Sequence, residues 1–349
     1  MIAPKFDAIL IQSFGGPEGM DDVMPFLRNV TRGRNIPDER LKVVAHHYEL
    51  FGGVSPINEQ NRQLIKALED LLKVEGPHLP IYWGNRNWHP FLKDTVAKMR
   101  DDGIKRVVSF ATSAYSSYSG CRQYLEDIDR ALLEVGGEGL PQIEKLRAFF
   151  NHPLFVEANA QHLQEAIALA KTENFQLAFS AHSVPMTMAN NCRYVEQLNE
   201  TCRLVASAVG LSNFDLVFQS RSGPPDQEWL KPDICDYMKE LPARGIKDLI
   251  LQPIGFVSDH MEVIYDLDTE ARTVADELSL NYIRAKTPGK HHSFVRMIRD
   301  LIMEKLDPTV EKLSIGSIGV SSDFCQPDCC PSGRPQGAPP PRLKDGSAS

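Results

Sequence analysis

The chain has 349 residues, 42% hydrophobic and 24% charged, which suffices for two ordinary domains or one large α/β domain with a sizeable core. A net charge of −8 argues against a nucleic-acid binder, which needs a concentrated basic patch, yet permits an anionic small molecule held by a few local cations. No apolar run reaches the roughly 18 residues of a membrane span. The opening MIAPKFDAILIQSF lacks the basic start and cleavage site of a secretory leader, so cytoplasmic placement is expected. The seven cysteines then read as thiols or metal ligands rather than a disulfide framework.

In chain order, DAILIQSF reads as a buried strand and NEQNRQLIKALEDLLKV as a helix with apolar residues at helical spacing. PIYWGN is the next strand, HPFLKDTVAKMRDDG a helix and RVVSFATSAY a third strand. The helix PLFVEANAQHLQEAIALAK leads to the strand LAFSAHS, and the helix CRYVEQLNETCRLVASAVG to the strands FDLVFQS and DLILQPIGFV. This alternation predicts parallel sheets with helices on both faces and a ligand site outside the carboxyl ends of the strands.

The chain also resembles itself. The strands IYWGNRNW and LVFQSRSG each lead past a Trp, through a helix, to a Gly-Ile-Lys and another strand; the two Gly-Ile-Lys follow Trp88 and Trp229 by 15 and 16 residues. FDAILIQSFGGP and FQLAFSAHSVP correspond in the same way. These matches predict two similar α/β halves, 1–145 and 146–315, with a cleft between them. From 316 to 349 the chain is rich in Pro, Gly and Ser and cannot bury enough surface to fold alone; its last twenty residues are expected to be disordered.

Chemistry concentrates at two strand ends. His182 follows the apolar LAFSA; taken alone, a histidine in such a place is more often structural than catalytic. The turn that the repeat matches to it, DHMEVIYDLDTEA, carries Glu262, Asp266 and Glu270 four residues apart at a helix start. Steps of four advance about 40° round an α-helix, so the three carboxylates form one stripe. A solvated acidic face at a helix N-terminus is the plainer alternative. An imidazole facing such a ladder can bind a divalent metal and accept protons. Insertion of Fe²⁺ into a porphyrin needs both, since two pyrrole protons leave as the metal enters.

With SFGGPEG, RGR at 32–34, HYELFGGVSPIN, GNRNWHPF, FSAHSVP and PIGFVSDHMEVIYDLD in this order, the chain resembles the ferrochelatases over about residues 5–315. The resemblance implies an α/β fold of two similar Rossmann-like halves with a cleft between them. It implies Fe²⁺ at His182 and Glu262, and proton relay by Asp266 and Glu270 along a partly π-type helix. Ser55 and Tyr124 match positions that contact the porphyrin's propionates or ring, and Arg32 and Arg34 remain from an arginine cluster. Phe14 replaces a tyrosine that can ligate product iron in bacterial relatives, and Thr31 and His47 replace two arginines.

The cysteines fall into two groups. Cys192, Cys202 and Cys235 lie in helical or apolar contexts and read as buried inert thiols. Cys325, Cys329 and Cys330 crowd a polar tail with no packing role, which suits zinc or an iron–sulfur centre; a [2Fe-2S] cluster wants a fourth thiol, and Cys121 in YSGC is the candidate. A redox-reactive tail without metal is the alternative. The pattern is similar to that of ferrochelatases, including actinobacterial ones, with C-terminal cluster ligands.

The reading expected from the sequence is a cytoplasmic, monomeric ferrochelatase acting on coproporphyrin III rather than protoporphyrin IX, with transient hand-off to the next haem-pathway enzyme and no nucleic-acid partner. Its rivals are a protoporphyrin IX ferrochelatase, a cobalt chelatase of the same fold, and a two-lobed protein that binds haem or iron without turnover.

Overall fold

The apolar runs become eight strands in two parallel sheets, seen in a computed structural model that describes residues 6–34, 36–223, 226–326 and 328–332. The first sheet contains β1 (Ala8–Ser13), β2 (Ile81–Asn85), β3 (Arg106–Ala111) and β4 (Gln142–Lys145), in the order β2-β1-β3-β4. The second contains β5 (Phe175–His182), β6 (Asp215–Gln219), β7 (Asp248–Gln252) and β8 (Asn281–Arg284), in the order β6-β5-β7-β8. The two orders are the same with every number raised by four, so the repeat seen in the sequence is a repeat of topology. All residues of β1 and β7 are buried, as expected of central strands covered on both faces.

The helices of the first half are α1 (Met20–Val30), α2 (Asp38–Glu49), α3 (Ile57–Glu75), α4 (Leu92–Asp101) and α5 (Gln123–Val135). The second half carries α6 (Pro153–Ile167), α7 (Met186–Ala189), α8 (Tyr194–Ala208), α9 (Ile234–Glu240), α10 (Met261–Ile264), α11 (Ala271–Glu277) and α12 (His292–Leu306). Gly103 and Gly245, the glycines of the two Gly-Ile-Lys matches, both adopt positive φ (76° and 73°) where a helix gives way to a strand. That conformation costs a glycine least.

One core joins the two sheets. Ile9, Ile11 and Phe110 of the first and Phe179, Ala181 and Ile250 of the second belong to a single cluster, bridged by Phe149, Phe155 and Phe294. α12 packs on both α3 and α6. Residues 146–152, which cross from one half to the other, are buried throughout. Polar ties reinforce the junction: Tyr115 donates to the Ile254 carbonyl at 2.8 Å, and Gln197 bonds the Ser116 amide and hydroxyl at 2.7 and 3.0 Å.

Beyond α12 the chain returns along the body without forming a helix or strand among the described residues. Asn151 donates to the carbonyls of Ile315 and Gly319, and Glu200 accepts the Ser317 amide and hydroxyl. Residues 333–349, which hold most of the segment expected to be disordered, lie outside the described residues.

Candidate active site

His182 is the last residue of β5, and β7 is its neighbour in the sheet. The loop after β7 folds back across the end of β5, with the Gly255 amide donating to Ser180 O at 3.0 Å. A Cβ on Gly255 would stand 2.7 Å from Ala181 Cα, so this approach requires glycine. The loop then delivers Glu262 at the start of α10, with its Oε2 3.4 Å from His182 Nε2. The imidazole and the first carboxylate both come from the second half, side by side beyond adjacent strands, because β5 and β7 are the central pair of one sheet.

Backbone groups fix both side chains. His182 Nδ1 bonds the Ser183 carbonyl, which places the proton on Nδ1 and turns Nε2 toward Glu262. Tyr194 donates to the His182 carbonyl at 3.1 Å. Gln219, ending β6, donates to the Glu262 carbonyl at 2.5 Å, and His260 Nδ1 accepts the Glu262 amide at 3.2 Å as the cap of α10.

The pair is walled by protein but open to cleft water, with His182 and Glu262 side chains 32% and 48% exposed. Burial pulls the His182 pKa down, but the Glu262 charge and the Ser183 carbonyl outweigh it and raise it to about 9. Burial pushes Glu262 up, and the charges of His182 and His260 bring it down to about 2. Without metal the two form an imidazolium–carboxylate pair. Stripped of that proton, they present one nitrogen and one carboxylate to a divalent cation.

The acidic stripe is not one α-helix. α10 has a single turn, residues 266–270 form a π turn, and α11 follows. Tyr265 O accepts the amides of both Thr269 (3.1 Å) and Glu270 (2.9 Å), the second being the i→i+5 bond. A wider turn lets steps of four almost close a circle, so the stripe stays aligned. Burial, then the charges of Glu262 and Glu270, raise Asp266 to about 7 against the bond it accepts from Ser220 Oγ. Burial and Asp233 raise Glu270, which is exposed at the outer end. A carboxylate held ionised is therefore followed by carboxyls poised to take protons.

The first half forms the opposite wall. Phe14 follows β1; counted back from Pro17 and Pro185, it stands where His182 stands in the repeat. It packs edge-on to Phe26 at 6.2 Å. Ser55 is buried beneath Gly16, where a Cβ would come within 2.6 Å of Ser55 Cβ. Tyr124 is buried, with Arg86 stacked 4.3 Å over its ring and ion-paired to Asp127. Arg32 and Arg34 lie on the exposed turn after α1, Arg32 bonded to Asn29 at 2.7 Å. Thr31 caps α1 by donating to Leu27 O, and His47 stacks on Tyr265.

The tail brings its thiols to the start of α5. Cys121, in a π turn at 118–122, lies 4.0 Å from Cys325, and Cys329 lies 3.5 Å from Cys330. Arg122 donates to the Gln326 carbonyl at 3.2 Å. The neighbouring Cys325 thiol, with help from Lys145 and Arg122, lowers the Cys121 pKa against its burial, and Cys325 rises in turn. Cys202 is fully buried and Cys235 half-buried, and burial raises both thiols, Cys235 to about 12. Cys192 is raised by burial and by neighbouring Cys329, so it belongs to the tail's surroundings. Among the described residues no three His, Cys, Asp or Glu side chains converge on a single ion position.

The sequence reading named His182 and the stripe but gave no role to His260, Gln219, Ser220, Tyr194 or Arg86. Gln219 and Ser220 close the strand FDLVFQS, and the strand-end rule that singled out His182 would have found them. His260 stood inside the quoted SDHME, but its capping role depends on a backbone turn that spacing does not reveal.

The profile of the ferrochelatase family matches residues 6–306. A protein of Rhodopirellula baltica named ferrochelatase is 53% identical, covering 94% of each chain. Proteins named coproporphyrin III ferrochelatase are 48% identical in Streptomyces coelicolor (96% of each chain) and 47% in Mycobacteroides abscessus (93% of this chain, 98% of that one). The solved structure titled SirB from Bacillus subtilis with Fe³⁺ shares the fold, with a TM-score of 0.55 at 10% identity, over 89% of this chain and 99% of that one. With its doubled parallel sheet and the His–Glu pair at adjacent strand ends, the chain belongs to the ferrochelatase family.

Proposed function

We propose that the chain inserts Fe²⁺ into coproporphyrin III, releasing two protons and giving Fe-coproporphyrin III. The observation that carries this reading is His182 Nε2 3.4 Å from Glu262, backed by two carboxyls, Asp266 and Glu270, that their surroundings hold above the ordinary carboxyl range. Fe²⁺ is the substrate metal. It replaces the proton shared by His182 and Glu262, which suit a cation of intermediate softness. The pyrrole protons pass to Asp266, whose pKa of about 7 lets it accept near neutrality, and then to Glu270 at the solvent end.

Coproporphyrin III is favoured because close relatives carry that name, and because its four propionates need cations and hydroxyls rather than an apolar entry. Arg32, Arg34, Ser55 and Tyr124 are the residues assigned to them. Charge-assisted bonds of this kind contribute roughly 1.5–3 kcal/mol each. Protoporphyrin IX has two fewer propionates. The reading includes a cytoplasmic monomer that hands its product to the next haem-pathway enzyme; among the described residues no helix is long and apolar enough to cross a membrane.

The reading extends to a [2Fe-2S] cluster held by Cys121, Cys325, Cys329 and Cys330. What supports it is the spacing within two thiol pairs, 4.0 Å for Cys121–Cys325 and 3.5 Å for Cys329–Cys330, close to the separation of just under 4 Å expected of two thiolates about 2.3 Å from one metal. Lys145 and Arg122 lie near Cys121 and favour its thiolate form. When bound, such a cluster provides one-electron redox capacity. Cys121 is three residues from Tyr124, so its ligation would tie the tail to the porphyrin wall.

The substrate test is anaerobic Fe²⁺ insertion into the two porphyrins side by side, with aggregation controlled. Coproporphyrin III should be used at least about tenfold more efficiently, since 1.4 kcal/mol is a factor of ten. Equal or better use of protoporphyrin IX would move the enzyme to that substrate.

A further inference from the structure

The π turn that aligns the acidic stripe has a support on the opposite wall. Met261, Ile264 and Tyr265 of the second half pack into a cluster built from α1 and α2 of the first, with Val23, Phe26, Leu41 and Tyr48 at its centre. At the edge of that cluster the His47 ring lies flat on the Tyr265 ring, with centroids 3.7 Å apart and planes 7° from parallel. Burial, with His46 and Arg40 nearby, holds the His47 imidazole below its ordinary pKa, so a neutral ring makes the stack at pH 7.

Tyr265 is also the residue on which the helix widens, since its carbonyl takes the i→i+5 bond from the Glu270 amide at 2.9 Å. Its phenol interacts with the Glu270 carboxylate. A π turn is less favourable than a continued α-helix and persists where its surroundings hold it. Fixing the Tyr265 ring fixes the start of the π turn and the orientation of Asp266 and Glu270.

We propose that His47 is a positioning residue for the acidic stripe: from the opposite half of the molecule it clamps Tyr265 and so maintains the π turn that aims Asp266 and Glu270 into the cleft. The inference rests on the iron-insertion reading for its functional consequence, but not for the structural one.

Two variants and two readouts test it. His47→Leu removes the ring, and His47→Phe keeps a flat ring while removing the nitrogens. His47→Leu should lower kcat about fivefold or more with the porphyrin KM within about twofold, because an interaction that aims the relay is lost rather than a substrate contact. Hydrogen exchange at the Thr269 and Glu270 amides should speed up about tenfold while β5 amides stay protected. His47→Phe should restore both. The proposal is overturned if His47→Leu leaves kcat and exchange unchanged, if His47→Phe is as impaired as His47→Leu, or if KM rises with kcat intact. If His47→Leu does not fold, as β5 exchange would reveal, His47→Gln takes its place. Failure of the wild-type chain to insert iron would sink the proposed function and leave the exchange result standing.

Discussion

Asp266 is the carboxyl whose protonation is balanced nearest neutrality, and one hydroxyl helps set that balance. Burial and two neighbouring carboxylates raise its pKa to about 7, while the Ser220 bond opposes them. A carboxyl that must be ionised to accept a proton makes insertion rise with pH through its pKa. Removing the Ser220 hydroxyl removes a lowering influence, so the pKa climbs and the acidic limb of the kcat profile moves to higher pH. Ser220→Gly is the appropriate variant, because Ser220 has φ 63°, which glycine adopts freely. An unshifted limb would mean that Asp266 does not carry the proton. Along the stripe, Glu262→Gln should reduce insertion about a hundredfold or more and Glu270→Gln less than about tenfold, since the first removes a carboxylate from the iron site whereas water can replace an outer proton acceptor. Equal, small losses would reduce the stripe to a solvated helix face. His182 and the stripe were legible in the sequence because strand ends and fourfold spacing are linear signals. The Ser183 bond that sets the His182 tautomer was not, since it depends on where the backbone turns.

Among the elements, the loop after β7 does most to assemble the pair. Gly255→Ala would force a Cβ to within 2.7 Å of Ala181 Cα, backbone that cannot yield cheaply. It should cost about 1–3 kcal/mol of stability, as overpacking does, and reduce insertion by moving Glu262 off His182. Thermal unfolding and insertion rates measured together check this; an unchanged Tm and rate would mean that the loop finds another path. The tail offers a second test. Protein purified without oxygen should be reddish-brown with about two iron and two sulfide per chain. Cys121→Ser or Cys325→Ser should bleach it, and Cys202→Ser should not; a colourless protein with one zinc would contradict the cluster. The central strands were readable because each is a continuous apolar run. β4 and β8 escaped because QIEK and NYIR are four-residue edge strands with only two or fewer apolar side chains apiece, and α1 and α2 because their role comes from packing on the other half.

At the scale of the whole molecule, two copies of one topology have divided the work. The second half carries His182, Glu262 and the stripe, and the first supplies the facing wall, with Phe14 in the place that repeats His182. The doubling was visible in the sequence through the paired Trp and Gly-Ile-Lys landmarks. The shared core was not, because Phe149, Phe155 and Phe294 lie far apart in the chain and meet only when both sheets have formed. The central claim is that iron enters at the His182–Glu262 pair, and anaerobic Fe²⁺ insertion into coproporphyrin III by His182→Ala tests it most directly, with circular dichroism to verify the fold. One part-exposed cleft side chain contributes little to stability, so the variant should fold. The account predicts a folded protein with no measurable insertion; a folded variant working at near wild-type rate would contradict it.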